Sequence, residues 1–282
     1  MMIQKLRLHE ILIAFVICAF LISSLPLETT SAGIDDGNPR EVGVEWVNSY
    51  GGCAGNLGNC DDDAVGFYNR LRSAGWTGNF NWGDSNAWEE DFKKVALGGT
   101  DATFIDTVDF AYSCGHGWEY GMVYNSSSGT RDDCYLEFAP WKAREPQWGD
   151  LDLDWIVLDH CLTLAYNNGE VFSKMHPSWS DNSQNVMSGV HMILGFDTIA
   201  YDTGVRGPYF ASLLVGDYFW LFWRQLKIRE AWYYATIWSE PSTTRGAYLG
   251  QGTTSEDFLP GIGGQGPDPA VNAPLYYSRW TN

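Results

Sequence analysis

The chain has 282 residues, of which 35 are acidic and 17 basic, so its formal net charge at neutral pH is −18. So acidic a surface argues against nucleic acid and anionic membranes as partners, because like charges repel. Aromatic residues make up 15% of the sequence and include 14 tryptophans. We expect most of them in a large aromatic core, with a carbohydrate-binding surface as the alternative.

The first 32 residues are typical of a secretory signal peptide. Lys5 and Arg7 precede an apolar run over 11–25, and small residues follow up to Ala32. The run is short for a membrane span, although an uncleaved N-terminal anchor is an alternative. A signal peptide that is cleaved after Ala32 predicts a secreted or cell-surface protein, and the remaining residues, 33–282, are expected to form a single domain.

Two strands and two helices are predicted in the first part of this domain. The segment 41–50 alternates and is rich in valine and aromatic residues, which favours a strand, and 76–82 is a second candidate strand. The segment 61–75 carries an apolar stripe at helical spacing. The segment 85–97 resembles another helix, with Ser85 as its N-cap.

Three more strands and two more helices are predicted further along the chain. Apolar runs over 107–113, 153–161 and 188–196 indicate strands. The second run has an unbroken apolar centre, which suits a parallel strand buried on both faces. Helical stretches follow at about 208–226 and 228–238.

The remaining sequence is expected to be irregular, namely 119–149 and a glycine- and proline-rich tail from residue 250. Because strands alternate with helices, the fold class is predicted to be α/β with a mainly parallel sheet. No internal repeat and no clear linker divides the sequence, which again indicates one domain.

The cysteine count of the mature chain is odd. Cys18 lies in the predicted signal peptide, and five cysteines remain: Cys53, Cys60, Cys114, Cys134 and Cys161. Secreted proteins tend to pair their cysteines, so four can form two disulfides while one stays free. The free one is either a reactive thiol or a small buried hydrophobe.

A histidine and a cysteine follow two of the predicted strands. His116 lies in "CGHG" after the strand 107–113, and Cys161 ends the strand 153–160. Ligands of parallel sheets bind at the carboxyl ends of strands, and a nearby imidazole can activate a thiol. The amides of Gly117 and Cys161 are candidate donors to an oxyanion. The alternative is that His116 is a turn residue and Cys161 an inert buried thiol.

The two motifs "DFAYSCGHG" and "WIVLDHC", in this order, resemble those of the clan CD cysteine peptidases, which include caspases, metacaspases, legumain, gingipains and clostripain. The resemblance implies a three-layer sandwich around a mainly parallel sheet. It also implies a cysteine-type endopeptidase that cleaves peptide or protein substrates and needs no metal or cofactor.

Carried over residue by residue, the resemblance makes His116 the base and Cys161 the nucleophile. Gly117, next to Gly115 and His116, matches the glycine that helps to form the oxyanion hole, and Asp159 matches the acidic residue often found two before the cysteine. The sequence departs from the family in lacking a small or polar residue directly after Cys161.

With Cys161 as the nucleophile, four cysteines are left for two disulfides. We expect Cys53–Cys60 and Cys114–Cys134, because each pair spans a short loop rich in glycine or serine. A Cys53–Cys114 bond is the alternative, since both residues follow strands.

The polar residues give only weak support to a metal site. A zinc site at His116, Cys114 and Cys161 lacks a CxxC or HExxH pattern, and the acidic runs 61–63 and 150–154 lack the spacing of an EF-hand. His160 and His191 are expected to pack in the core.

The alternative function is a catalytically inactive binding protein for glycan or protein on the same fold.

Overall fold

The centre of the protein is a seven-stranded sheet. The computed structural model describes residues 36–125, 133–178 and 181–281, without the side chain of Phe219, so the predicted signal peptide lies outside the described residues. The strands in chain order are β1 (Glu41–Trp46), β2 (Thr77–Gly83), β3 (Phe110–Cys114), β4 (Gly117–Trp118), β5 (Gly121–Val123), β6 (Tyr135–Glu137), β7 (Trp155–Asp159), β8 (Met192–Phe196), β9 (Arg245–Gln251) and β10 (Leu275–Thr281). The α-helices are α1 (Cys60–Ser73), α2 (Glu170–Met175), α3 (Arg206–Leu214), α4 (Phe219–Phe222) and α5 (Ile228–Ser239).

The strand order of the large sheet is β2-β1-β3-β7-β8-β9-β10. The pairs from β2 to β8 are parallel, and β9 is antiparallel to both of its neighbours. The three short strands β4, β5 and β6 form a separate antiparallel sheet. The predicted α/β class with a mainly parallel sheet is therefore confirmed.

Both faces of the large sheet are covered, which gives three layers. Along β7, Trp155 and Val157 pack into one core together with α1, α3 and α5. Ile156 and Leu158 pack into the opposite core, which also takes in the small sheet and α2. The unbroken apolar run in this segment thus marks a strand buried on both faces, as predicted.

The helix predicted over 85–97 is wrong. The segment instead forms three short 3₁₀ turns. Tertiary contacts take the backbone groups that an α-helix would pair internally: Thr100 N donates to Glu90 O, and Lys94 N donates to Glu145 O. The predicted Ser85 cap lies inside the first turn.

The long helix predicted over 208–226 is divided into α3 and α4. Gly216 follows α3 with φ +84°, a left-handed conformation that commonly ends a helix. The second helical prediction, 228–238, agrees with α5. In the three described ranges, no helix has the length and apolar character needed to span a bilayer.

Two stretches predicted to be irregular contain strands. The segment 119–149 includes β5 and β6, whose three residues each are too few to show an alternating pattern. The tail from residue 250 ends in β10, which pairs with β9 along the whole length of both strands. Only the part between those two strands, about 252–274, fits the irregular, glycine- and proline-rich tail.

Candidate active site

The two strands that precede the candidate residues are direct neighbours in the sheet. β3 and β7 pair in parallel, and their last residues, Cys114 and Asp159, are opposite each other. The chain leaving β3 toward His116 and the chain leaving β7 toward Cys161 therefore emerge side by side. This is the arrangement that the carboxyl-end rule for parallel sheets predicts.

A cavity of about 410 Å³ opens at this edge. His116, Gly117 and Cys161 all line it, together with Asp159 and the segment from Ile199 to Asp202. Its size lies within the usual range for ligand sites. The sequence-predicted residues thus share one cavity, while the rim segment beyond β8 was not predicted.

The backbone and ring of His116 are held by four separate contacts. Its amide donates to the hydroxyl of Tyr50 at 2.6 Å, and its carbonyl accepts from Val123 N at 2.9 Å and from His160 Nδ1 at 2.9 Å. Its ring Nε2 lies 2.9 Å from the carbonyl oxygen of Gly55. A carbonyl can only accept, so Nε2 carries a proton and Nδ1 is the unprotonated nitrogen of the neutral ring. Nδ1 is therefore the atom available to act as base.

His160 helps to hold the loop that carries His116. Since its Nδ1 donates to the carbonyl of His116, its Nε2 is the acceptor for the hydroxyl of Ser113 at 2.8 Å. Burial lowers the pKa of His160 to about 4, so the ring is neutral near pH 7. The expectation that His160 is a buried core residue is confirmed, and its contacts add a positioning role that the sequence did not reveal.

Cys161 is the free cysteine of the described residues and is half-buried. Its thiol donates to the carbonyl of Ala200 at 3.6 Å. Burial raises the pKa of Cys161 above its ordinary value, so the thiol is protonated at neutral pH. The next residue, Leu162, has φ +63°, a left-handed conformation that is costly for a branched side chain and is found at strained functional turns. Leu162 thus marks a sharp turn directly after Cys161, at the position where the resemblance implied a small or polar residue.

Gly117 packs directly on the backbone of Cys161. A Cβ atom built on Gly117 would lie 2.9 Å from the carbonyl oxygen and 3.3 Å from the amide nitrogen of Cys161. Only a residue without a side chain allows this approach. The two amides named as oxyanion donors therefore belong to backbones in close contact beside the cavity.

Asp159 lies within a buried ionic network. Its carboxylate accepts a hydrogen bond from the hydroxyl of Tyr112 at 2.6 Å and forms an ion pair with Arg206. Arg206 is also paired with Glu240 and donates to the carbonyl of Tyr201 at 2.7 Å. Arg206 thereby ties the end of β7 to the rim segment. Nothing in the local sequence around Arg206 identifies it as a partner of Asp159.

Asp63 joins the same region from α1. Its carboxylate accepts from Gly207 N at 2.8 Å and from Gly204 N at 3.1 Å, so it caps the start of α3. Burial and the nearby Asp159 raise the pKa of Asp63 to about 7. The capping of α3 by Asp63 was not predicted, because α3 lies far away in the sequence.

The predicted disulfide pairing is wrong, although the four cysteines are the ones predicted. The bonds are Cys53–Cys134 and Cys60–Cys114. α1 begins at Cys60 and packs on β3, which ends at Cys114, so these two residues meet between the helix and the strand rather than within a loop. Cys53 lies beside β6, where the hydroxyl of Tyr135 donates to its carbonyl.

The Cys60–Cys114 bond has a direct consequence for the site. Both of its cysteines line the cavity, and Cys114 immediately precedes the loop that carries His116. The bond anchors that loop to α1. It also removes Cys114 as a thiolate ligand, so the zinc site weighed for His116, Cys114 and Cys161 loses one of its members.

The fold and the site define the protein as an α/β domain with a free thiol and an imidazole at the carboxyl ends of parallel strands in one mainly parallel sheet. The chain belongs to the family described as "Domain of unknown function (DUF6345)", whose model matches residues 44–282. No curated protein matches the chain.

Among solved structures, the chain is similar to the Arg-specific cysteine proteinase gingipain R, with 14% sequence identity and a TM-score of 0.38. The match covers 65% of this chain and 39% of that chain, so this chain spans less than half the length of that protein. A likeness of this degree assigns neither activity nor substrate.

Proposed function

We propose that the protein is a secreted cysteine-type hydrolase that cleaves peptide bonds with a dyad of His116 and Cys161. One observation carries the proposal: the free cysteine of the described residues shares a cavity with His116, at the edge where two neighbouring parallel strands end. The order and spacing of the two motifs, which resemble those of clan CD cysteine peptidases, support the same assignment.

The chemistry follows from the protonation states of the two side chains. The thiol of Cys161 is protonated at rest, so it needs a base when substrate binds. Nδ1 of His116 takes that proton as the sulfur attacks the peptide carbonyl, and the amides of Gly117 and Cys161 stabilise the resulting oxyanion. His116 then gives the proton to the leaving amine. Water, deprotonated by the same ring, hydrolyses the thioester and restores the thiol.

Two partly exposed apolar side chains at the rim suit a peptide substrate. Ile199 is 62% exposed and Tyr201 is 56% exposed, and both border the dyad cavity. They also border a second cavity of about 530 Å³, which Leu162 shares and to which Arg245 contributes. A peptide lying across this rim would place its scissile bond over Cys161 and a neighbouring side chain in the second cavity.

The location outside the cell rests on two features. The residues before Ala32 have the pattern of a signal peptide, and two disulfides are typical of an oxidising compartment. Under this proposal the mature protein is the single domain 33–282. Its partners are peptides or proteins, and its net charge of −18 disfavours nucleic acid and anionic membranes.

Peptide-library profiling of the secreted mature chain tests the activity. We expect cleavage by the wild-type protein and none by Cys161→Ala. His116→Gln is the informative second variant, because its side-chain amide can still donate to the carbonyl of Gly55 but cannot serve as a base. Cleavage that survives in both variants contradicts the dyad.

A second candidate function rests on exposed tryptophans. Trp220 is 64% exposed and Trp223 is 80% exposed, next to the aromatic cluster of Phe222, Tyr234 and Trp238. Such a surface suits a protein that holds glycan or protein without cleaving it. Under this alternative, Trp223→Ala abolishes binding to a glycan array while Cys161→Ala leaves it unchanged. The peptidase proposal expects the opposite dependence for cleavage.

A further inference from the structure

A second cluster of titratable side chains lies at the amino-terminal ends of the central strands, opposite the ends that carry His116 and Cys161. Asp154 directly precedes β7, His191 directly precedes β8, and Asp268 comes from the irregular segment between β9 and β10. Asp154 and Cys161 stand at the two ends of one strand, which at about 3.3 Å per residue separates them by roughly 20 Å. This cluster is therefore independent of the candidate active site.

His191 is fixed with one ring nitrogen inward and the other facing the two carboxylates. Its Nδ1 lies 2.8 Å from the carboxylate of Asp257. That carboxylate is itself held, by Trp155 Nε1 at 3.1 Å and by Gly266 N at 2.6 Å. The side chain of His191 is almost fully buried, and its Nε2 makes no well-aligned hydrogen bond among the described residues.

Nε2 nevertheless points at two carboxylate oxygens. It lies 3.2 Å from Oδ1 of Asp154 and 3.5 Å from Oδ1 of Asp268. All three atoms lie within 4.8 Å of one another. Two ligands that each sit about 2.1 Å from a tetrahedral metal ion are about 3.4 Å apart, so the two distances from Nε2 match those between donors around one cation.

We propose that Asp154, His191 and Asp268 form a binding site for a divalent transition-metal ion of the zinc or manganese type. The imidazole donor favours such an ion over calcium, which takes oxygen ligands. Asp257 is the carboxylate that orients the metal-binding histidine through its other nitrogen, an arrangement common in metal sites. Asp154 and Asp268 are partly exposed, so the site is open to the ion and to water ligands.

The metal would fasten the irregular tail to the sheet. Asp268 lies in the segment between β9 and β10, whereas Asp154 and His191 stand at the ends of two buried strands. The competing occupant of the same position is a proton: burial opposes it, but the hydrogen bond to Asp257 and the surrounding carboxylates raise the pKa of His191 to about 10. A metal ion and a proton compete for Nε2, and titration of the protein with the metal ion shows whether the metal can displace the proton.

Calorimetric titration of zinc chloride and of calcium chloride into the mature chain tests the site. We expect one zinc ion per chain, with the affinity reduced at least tenfold in Asp154→Asn and in Asp268→Asn, and by about 10–100-fold in Asp257→Asn. Asp62→Asn, which removes one exposed carboxylate on α1, is the matched charge control and should bind zinc as the wild type does. Circular dichroism confirms that each variant is folded.

A Cys161→Ala variant keeps the thiol from being mistaken for the site, and it should bind zinc normally. Zinc should also raise the melting temperature of the wild type but not that of Asp268→Asn. The inference is overturned by the absence of zinc binding, by equal affinity in the wild type and both carboxylate variants, by loss of binding in Cys161→Ala, or by binding of calcium alone.

Discussion

The contact between Gly117 and the backbone of Cys161 links the two halves of the candidate active site. A Cβ atom on residue 117 would lie 2.7 Å from Cβ of His160, in addition to its short distances to the carbonyl oxygen and amide nitrogen of Cys161. Backbone atoms cannot rotate out of the way as a flexible side chain can. Gly117→Ala must therefore push the histidine loop and the end of β7 apart.

We expect Gly117→Ala to lower the free energy of unfolding by about 1–3 kcal/mol, the usual cost of overpacking. We also expect it to slow the reaction of Cys161 with a peptidyl acyloxymethyl-ketone by roughly 100-fold, because a misplacement of about 1 Å has that effect on a catalytic constellation. Gly264→Ala is the matched control, since a Cβ there meets no atom within 4 Å.

Urea unfolding monitored by tryptophan fluorescence gives the stability of each variant, and mass spectrometry gives the labelling rate. The control should match the wild type in both. If Gly117→Ala also matches the wild type in both, the histidine loop does not rest on Cys161 and the reasoning is refuted.

Three further predictions concern the buried charges and the thiol. Arg206→Met removes the cation that pairs with two buried carboxylates and should cost about 3–5 kcal/mol in urea unfolding, whereas Arg224→Met breaks an exposed pair and should cost less than about 1 kcal/mol. His160 has a pKa of about 4 when folded and an ordinary value of 6.5, so the unfolded chain takes up its proton first and the contribution of this residue to stability falls as the pH drops through that window, by up to about 3 kcal/mol. His160→Asn, measured by urea unfolding at pH 7 and pH 5, should lose this dependence. Because burial raises the pKa of Cys161, its alkylation by iodoacetamide without substrate should be slow at pH 7 and rise about tenfold per pH unit, as followed by mass spectrometry.

Each of these predictions has an outcome that contradicts it. Equal losses in the two arginine variants would mean that the network of Arg206 contributes no more than a surface pair. The same change in stability between pH 7 and pH 5 in the wild type and in His160→Asn would mean that His160 is not buried as a neutral ring. A labelling rate of Cys161 that is already high and flat at pH 7 would show a preformed thiolate.

The parallel part of the sheet and the placement of His116 and Cys161 beside one cavity were predictable because both follow from short-range patterns. An unbroken apolar run such as 155–158 can only be a strand covered on both faces or part of a buried helix, and its length favours the strand. Once β3 and β7 are parallel neighbours, their carboxyl ends must meet. His116 and Cys161 are placed together by this rule alone, without any knowledge of side-chain contacts.

The disulfides and the ionic network were not predictable because they depend on how distant elements pack. Short loops favoured Cys53–Cys60, but α1 packs on β3, and its first residue, Cys60, meets Cys114 at the end of that strand. Arg206 reaches Asp159 only because α3 starts close to the end of β7, which no local pattern reveals.

The helix predicted over 85–97 failed for a related reason. Its spacing of apolar residues is helical, but Glu89 and Lys93 are buried and paired with each other, and backbone groups in the segment bond to distant partners. Tertiary contacts outweighed a weak local preference. The strands β9 and β10 were also missed: β9 pairs with both β8 and β10, and these partners lie far from it in the sequence.

Labelling of the mature protein with a peptidyl acyloxymethyl-ketone tests the central claim most directly. The wild type should be modified at Cys161, as located by peptide mapping, and Cys161→Ala should not be modified. His116→Ala should react much more slowly than the wild type, because the base is gone while the thiol remains. Equal labelling of the wild type and His116→Ala, or modification at any residue other than Cys161, would contradict the dyad.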